Sequence, residues 1–218
     1  MQNLSNQLKN NEFIQRIIFG ILYATAFLFC VLHKNNIFFI SLIIILLIGS
    51  ICEFVNLTTI RKMNFFNILI LIIIVFSFFC LIQIKISEKN PFQLIILLTQ
   101  VWAIDCGGYF IGKLFGKRKF SKISPSKTLE GLFGSFIFSI LTIYILNNKW
   151  QMIENNIILF VMLIFSSSVF GDLIFSKIKR MHKRKNSGLF LPGHGGFLDR
   201  LDSLIISTPI FYLYIYYF

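Results

Sequence analysis

Charge is what this sequence has least of: only 14% of its 218 residues are charged, and just nine are acids. With 56% hydrophobic residues beside them, so few charges exclude the ordinary water-soluble class. Histidine is scarcer still. His33, His182 and His194 are the full set, and none sits in a nucleophile elbow, an HExxH motif or a similar pattern. That disfavours hydrolytic and covalent mechanisms. The four cysteines (Cys30, Cys52, Cys80, Cys106) are scattered through apolar segments without metal-like spacing, which leaves packing as their default role. A P-loop pattern is missing, as are internal repeats, a linker and any recognisable nucleic-acid-binding module, so no nucleic-acid partner is expected.

What the chain does have is long apolar runs. They span Ile17–Leu32, Ile37–Val55, Phe65–Ile84, Phe92 to about Leu114, Leu132–Leu146, Ile157–Phe175 and Leu204–Phe218. Crossing the hydrocarbon core takes roughly 20 mainly apolar residues in a helix. Several runs reach that length, and the fifth and seventh are expected to borrow flanking residues. The fold expected is therefore all-α: a polytopic membrane helix bundle of about seven transmembrane helices. The first run is not expected to be a cleaved signal, because its small-x-small triplet, Ala24-Thr25-Ala26, lies inside the run rather than after it.

The net charge of +12 gains meaning once placed on that topology. Alternate connections, beginning with the N-terminus, collect seventeen of the 21 Lys and Arg residues; the other side keeps Lys34, Lys85, Lys89 and Lys149. By the positive-inside tendency the N-terminus is expected in the cytoplasm, with both large basic loops facing the cytosol. Those loops have a simpler reading as orientation signals that touch anionic membrane lipids. Residues 1–218 read as a single membrane domain: 1–90 mainly structural helices, 91–203 the half with chemistry, and 204–218 the last span.

Three constellations carry that chemistry. Asp105 and Asp172 interrupt apolar runs near their cytosolic ends; an acid at membrane depth is unfavourable by about 3 kcal/mol, and is read as functional unless it merely pairs with a lysine or lies at the interface. Around Ser124-Pro125-Ser126-Lys127-Thr128, small hydroxyl residues flank one lysine. Such a turn suits phosphate, but equally reads as a helix N-terminus capped by Ser126 or Thr128, with Glu130 completing a cap. Last comes Ser176, Lys179-Arg180, Lys185, then His194-Gly195-Gly196 and Asp199-Arg200-Leu201-Asp202. Asp199 and Asp202 lie three apart on one helical face, where two carboxylates repel unless a cation bridges them, and an oxygen-only pair suits Mg²⁺ with substrate phosphates. The bland alternative is dipole-complementing acids with Arg200 pairing one of them. Many cations interleaved with acid pairs point to phosphate chemistry, in which positioning and charge neutralisation do most of the work.

These residues resemble the phosphatidate cytidylyltransferase (CDP-diacylglycerol synthase) family. The likeness rests on Ser176, Lys179, Arg180, Lys185, Gly188, Leu191, Pro192, His194, Gly195, Gly196, Asp199, Arg200 and Asp202. A second block is similar too: Asp105-x-Gly-x-Tyr-Phe-x-Gly, Phe115-Gly116-Lys117, and Ser124-Pro125-x-Lys127-Thr128-x-Glu130-Gly131. The two blocks cover about Asp105–Ser203. One departure is Asn186, where the family has aspartate.

The resemblance implies that CTP and phosphatidic acid give CDP-diacylglycerol and pyrophosphate with Mg²⁺, in a bacterial inner membrane with the site facing the cytoplasm. It implies metal at Asp172, Asp199 and Asp202. Lys127, Lys179, Arg180, Lys185 and Arg200 would neutralise the triphosphate and the lipid phosphate, with His194-Gly195-Gly196 shaping the phosphate contact. Asp105, Ser124 and Ser176 join the substrate-binding set, and a homodimer is suggested. Rival readings are a CTP-dependent lipid kinase, which would release CDP, and a non-catalytic protein binding anionic lipid. A CDP-alcohol phosphotransferase fits less well, because its acids fall in a D-G-x-x-A-R … G-x-x-x-D-x-x-x-D arrangement.

Overall fold

A backbone that leaves water for a bilayer must satisfy its polar groups within the segment, and helices do so. The computed structural model describes residues 24–58, 64–87, 92–121, 123–124, 127–150, 156–184, 186–188 and 195–217. Among them there is no sheet; an isolated antiparallel bridge joins Lys119 to Thr128. Residues 24–32 form α1, followed by α2 (Asn36–Thr58), α3 (Phe65–Ile86), α4 (Phe92–Phe115), α5 (Leu129–Trp150), α6 (Ile157–Met181) and α7 (Leu198–Tyr217). By length and composition, α2 to α6 are each long and apolar enough to cross a membrane. The chain is an integral membrane protein of the all-α class.

The fifth and seventh runs do borrow flanking residues: α5 begins at Leu129 and α7 at Leu198. The sixth run also continues, through Lys177, Lys179 and Arg180 to Met181. Asp172 thus lies nine residues inside α6, and Asp105 ten residues inside α4. At 1.5 Å per residue each acid is roughly 14–15 Å from its helix end; for Asp172 that is deeper than the apolar run ending at Phe175 suggested.

Helix pairing sets the geometry of the site. α4 and α5 run antiparallel and very close, because glycines meet across the seam: a β-carbon at Gly107 would lie 2.7 Å from the Gly134 carbonyl oxygen, and one at Gly131 2.8 Å from that of Gly108. Small residues let membrane helices approach this way, and polar side chains bind the seam. Ser135 donates its hydroxyl hydrogen bond to the Ile104 carbonyl (2.7 Å), while the Gln100 amide donates to both the carbonyl and the hydroxyl of Ser139. α6 and α7 are also antiparallel. Gly171 faces the Asp202 carbonyl, and Ser167 donates to the Ser207 hydroxyl at 3.2 Å. Further along this seam Phe160 meets Phe211 and Tyr214 edge to face.

α2 and α3 complete the bundle against α7. Inward residues such as Phe39, Ile43, Ile74 and Leu97 are fully buried, while Ile45, Phe65, Ile72, Phe133 and Ile158 stand exposed on the outer faces. That is the distribution of a bundle whose surroundings are themselves apolar. The antiparallel contacts put the C-terminal ends of α2, α4 and α6 and the N-terminal ends of α5 and α7 at one end of the bundle.

Candidate active site

At that end a cavity of about 530 Å³ opens between α4, α5, α6 and α7. Its walls bring together ten of the residues singled out from the sequence. Asp105 comes from α4; Ser124 and Lys127 from the α4–α5 connection; Asp172, Ser176, Lys179 and Arg180 from α6; Asp199, Arg200 and Asp202 from α7. Asn186 is on the same wall. Lys185 and His194 lie outside the described residues, as do Pro125 and Ser126.

The α4–α5 connection is pinned before it reaches the cavity. Phe120 N–H donates to the Lys127 carbonyl (2.8 Å) and Leu129 N–H to that of Arg118 (2.9 Å). Thr128 caps α5 by accepting from Gly131 N–H at 3.1 Å. Glu130 does not turn back to close a capping box; its carboxylate accepts from the amides of Lys117 and Arg118. Lys127 is thereby projected inward, where its ammonium pairs with Asp172. The turn is both a capped helix start and a mount for one cavity-facing cation.

Asp172 also accepts from the Ser176 hydroxyl, one helical turn on, at 3.1 Å. It is close enough to repel both Asp105 and Asp202 electrostatically. Gly171 makes this juxtaposition possible, since a β-carbon there would lie 2.7 Å from the Asp202 carbonyl and hold α7 away. Asp202 accepts from Ser203 N–H, and its other oxygen is 3.9 Å from the Lys179 ammonium.

Asp199 is hydrogen-bonded through both carboxylate oxygens. One oxygen accepts from Lys179 at 2.7 Å; the other accepts from the backbone N–H groups of Ser187 (2.8 Å) and Gly196 (3.0 Å). Burial pushes this carboxyl up, but the Lys179 ammonium and the two amides outweigh it and hold Asp199 below the usual carboxylate range. Through these contacts Asp199 ties the backbone at Ser187 and Gly196 to Lys179. Gly195, at φ +85°, and Gly196 wrap this carboxylate; a β-carbon on Gly195 would sit 2.7 Å from its oxygen and be strained by the left-handed backbone.

Among the described residues no three His, Cys, Asp or Glu side chains form a ready-made metal cluster. The oxygen donors that line the cavity are Asp172 and Asp202, with Asp105 and Asp199 on the same lining. Mg²⁺ is held in this way when substrate phosphates supply further oxygens.

One acid escaped the sequence reading. Glu53, on α2, is 1% exposed yet fully partnered: it accepts from Phe197 N–H (2.9 Å), Leu198 N–H (3.0 Å) and the Ser187 hydroxyl (3.0 Å). The available signal was the one applied to Asp105 and Asp172, an acid inside an apolar run.

Comparison with known proteins bears on this site. The model of the cytidylyltransferase family matches residues 63–218, so α2 and Glu53 lie ahead of the match. A phosphatidate cytidylyltransferase of Haemophilus influenzae is 41% identical over 134 residues, which cover 58% of this chain and 46% of that one. Those of Rickettsia prowazekii and Rickettsia typhi are 33% and 32% identical, each across 94% of this chain and 92% of their own length. The chain thus spans about half the length of the Haemophilus relative and nearly all of the rickettsial ones.

Proposed function

As the chain belongs to the cytidylyltransferase family, we propose that it transfers a cytidylyl group from CTP to phosphatidic acid, giving CDP-diacylglycerol and pyrophosphate. The observation that carries this reading is one cavity at an end of the helix bundle whose lining combines Lys127, Lys179, Arg180 and Arg200 with Asp105, Asp172 and Asp202. In the reaction a lipid phosphate oxygen forms a bond to the α-phosphorus of CTP, and the bond from that phosphorus to the bridging oxygen of the β-phosphate breaks. The nucleophile is already anionic at neutral pH, so no strong general base is required. The barrier lies instead in bringing two highly charged phosphate groups together.

The chain's residues suit that task. Lys179, held by Asp199, and Arg200 on the first turn of α7 line the cavity as cations from α6 and α7; Lys127 brings another from the α4–α5 connection. Asp172 and Asp202, with Asp199 as a further oxygen donor, would hold Mg²⁺, which when bound supplies charge neutralisation at the α-phosphate. Binding would also relieve the repulsion between Asp172 and Asp202 and release Lys127 towards a phosphate. Lys185 and His194 belong to the same proposal as phosphate contacts. The floor of the cavity carries Ile104, Leu132 and Val169, apolar surface suited to the glycerol end of a lipid whose acyl chains remain in the bilayer.

The charge distribution supports a cytoplasmic cavity, since seventeen of the 21 Lys and Arg residues fall on the connections predicted for that side. The relatives named above come from bacteria, and a bacterial inner membrane is the setting that fits them. The test is detergent-purified protein with α-labelled CTP, phosphatidic acid and Mg²⁺. Label in the lipid phase, with pyrophosphate released, is the expected result. Label left in water-soluble CDP would replace this reading with a lipid kinase, and CTP left intact by folded protein would overturn both.

A further inference from the structure

Glu53 sits on a helix that the proposed chemistry does not use, 134 residues away from the nearest of its partners. A buried carboxylate is tolerated when its oxygens are fully hydrogen-bonded, and an isolated one is not. Every donor it accepts from belongs to one loop. Ser187 stands at the loop's start; Phe197 and Leu198 stand at its end, where α7 begins. The fit is tight as well as polar. A β-carbon on Gly188 would come within 2.6 Å of a Glu53 oxygen, one on Gly196 would collide with the carboxylate, and Gly49, one turn earlier on α2, accommodates the Phe197 ring.

Ser187 makes this a relay. Its hydroxyl donates to Glu53, while its own N–H donates to Asp199; Gly196, which packs on Glu53, donates its N–H to the same Asp199 oxygen. Asp199 in turn receives Lys179 at 2.7 Å. We infer that Glu53 is a positioning residue: it clamps both stems of the 187–198 loop to α2 and so fixes the Asp199–Lys179 pair on the cavity wall. The inference rests on the proposed cytidylyl transfer for its kinetic consequence, though not for the clamp itself. A residue that acts through another in this way costs about 10- to 100-fold in activity when lost.

Glu53→Gln keeps the shape but replaces one acceptor oxygen with an N–H₂ facing other donors. In the full chain, kcat should fall about 10- to 100-fold while KM for CTP stays within about threefold, with Tm close to that of the parent. Hydrogen exchange at residues 196–199 should quicken without change along the α4–α5 seam. Ser187→Ala, which removes only the hydroxyl, should act in the same direction but less strongly, and the double variant should be less impaired than the product of the two. Faster exchange with an unchanged kcat would overturn the inference, as would a loss of kcat that simply tracks a fall in Tm and in protection throughout the bundle. Should Glu53→Gln not fold, Ser187→Ala decides by the same readings. If the parent protein itself fails to label lipid, the proposed reaction falls separately; the exchange data still test the clamp, and unaltered protection at 196–199 in both variants would overturn it.

Discussion

The bundle contains two antiparallel helix pairs built on different terms. α4 and α5 close through facing glycines and uncharged hydrogen bonds, from Gln100–Ser139 at one end to Gly112–Thr128 near the other. α6 and α7 touch through one glycine, Gly171, and beyond it the seam fills with Asp172, Lys179, Asp199 and Asp202. The first pair is a frame and the second a hinge of charges held against it. Repelling carboxylates can be kept side by side because backbone contact at Gly171 and the seam below it fix the helices on which they are mounted.

The contrast is sharpest at Asp202. Asp202→Asn preserves shape and the acceptor for Ser203 N–H but removes the charge, and transfer activity should fall about 100-fold or more with Tm unchanged. Labelled-lipid formation checks this; activity within about threefold of the parent would remove Asp202 from the proposed metal pair. Gly171→Ala should act next most strongly. The new β-carbon meets the Asp202 carbonyl at 2.7 Å and must part the helices, so kcat/KM should fall about 10-fold even where the protein remains folded. An unchanged kcat/KM would mean that the α6–α7 spacing does not set the site. The matching change in the frame is Gly134→Ala, whose β-carbon runs into Ile111. It should lower stability by about 1–3 kcal/mol, read as a fall in Tm, while activity per folded molecule stays within about threefold. A large loss of activity at full stability there would erase the distinction between frame and site.

Much of this was legible in the linear sequence because the relevant signals are local. Apolar length locates helices, and the spacing of Asp199 and Asp202 puts them on one face. The extension of α6 to Met181 was less legible, since hydropathy ends where Lys177, Lys179 and Arg180 begin although the backbone keeps its helix. Glu130 illustrates a second limit. A capping box and a reach back to the Lys117 and Arg118 amides need the same residue type, and only the folded loop selects between them. Glu53 illustrates the third: no neighbour in sequence announces its role, because its partners are brought to it by tertiary packing alone.

That separation has a consequence for the order in which the protein is made. At about 5–20 residues per second, a ribosome needs roughly 7–30 s between synthesising Glu53 and synthesising the amides and hydroxyl that receive it. During that interval α2 must enter the bilayer with an acid that has no receiver. The helix is equipped for the wait: 23 residues long, very apolar, and with Glu53 five residues from its end, within roughly 8 Å of water. The apolar length of α2 and the place of Glu53 near its end would thus hold a carboxylate at the membrane edge until α7 arrives to claim it.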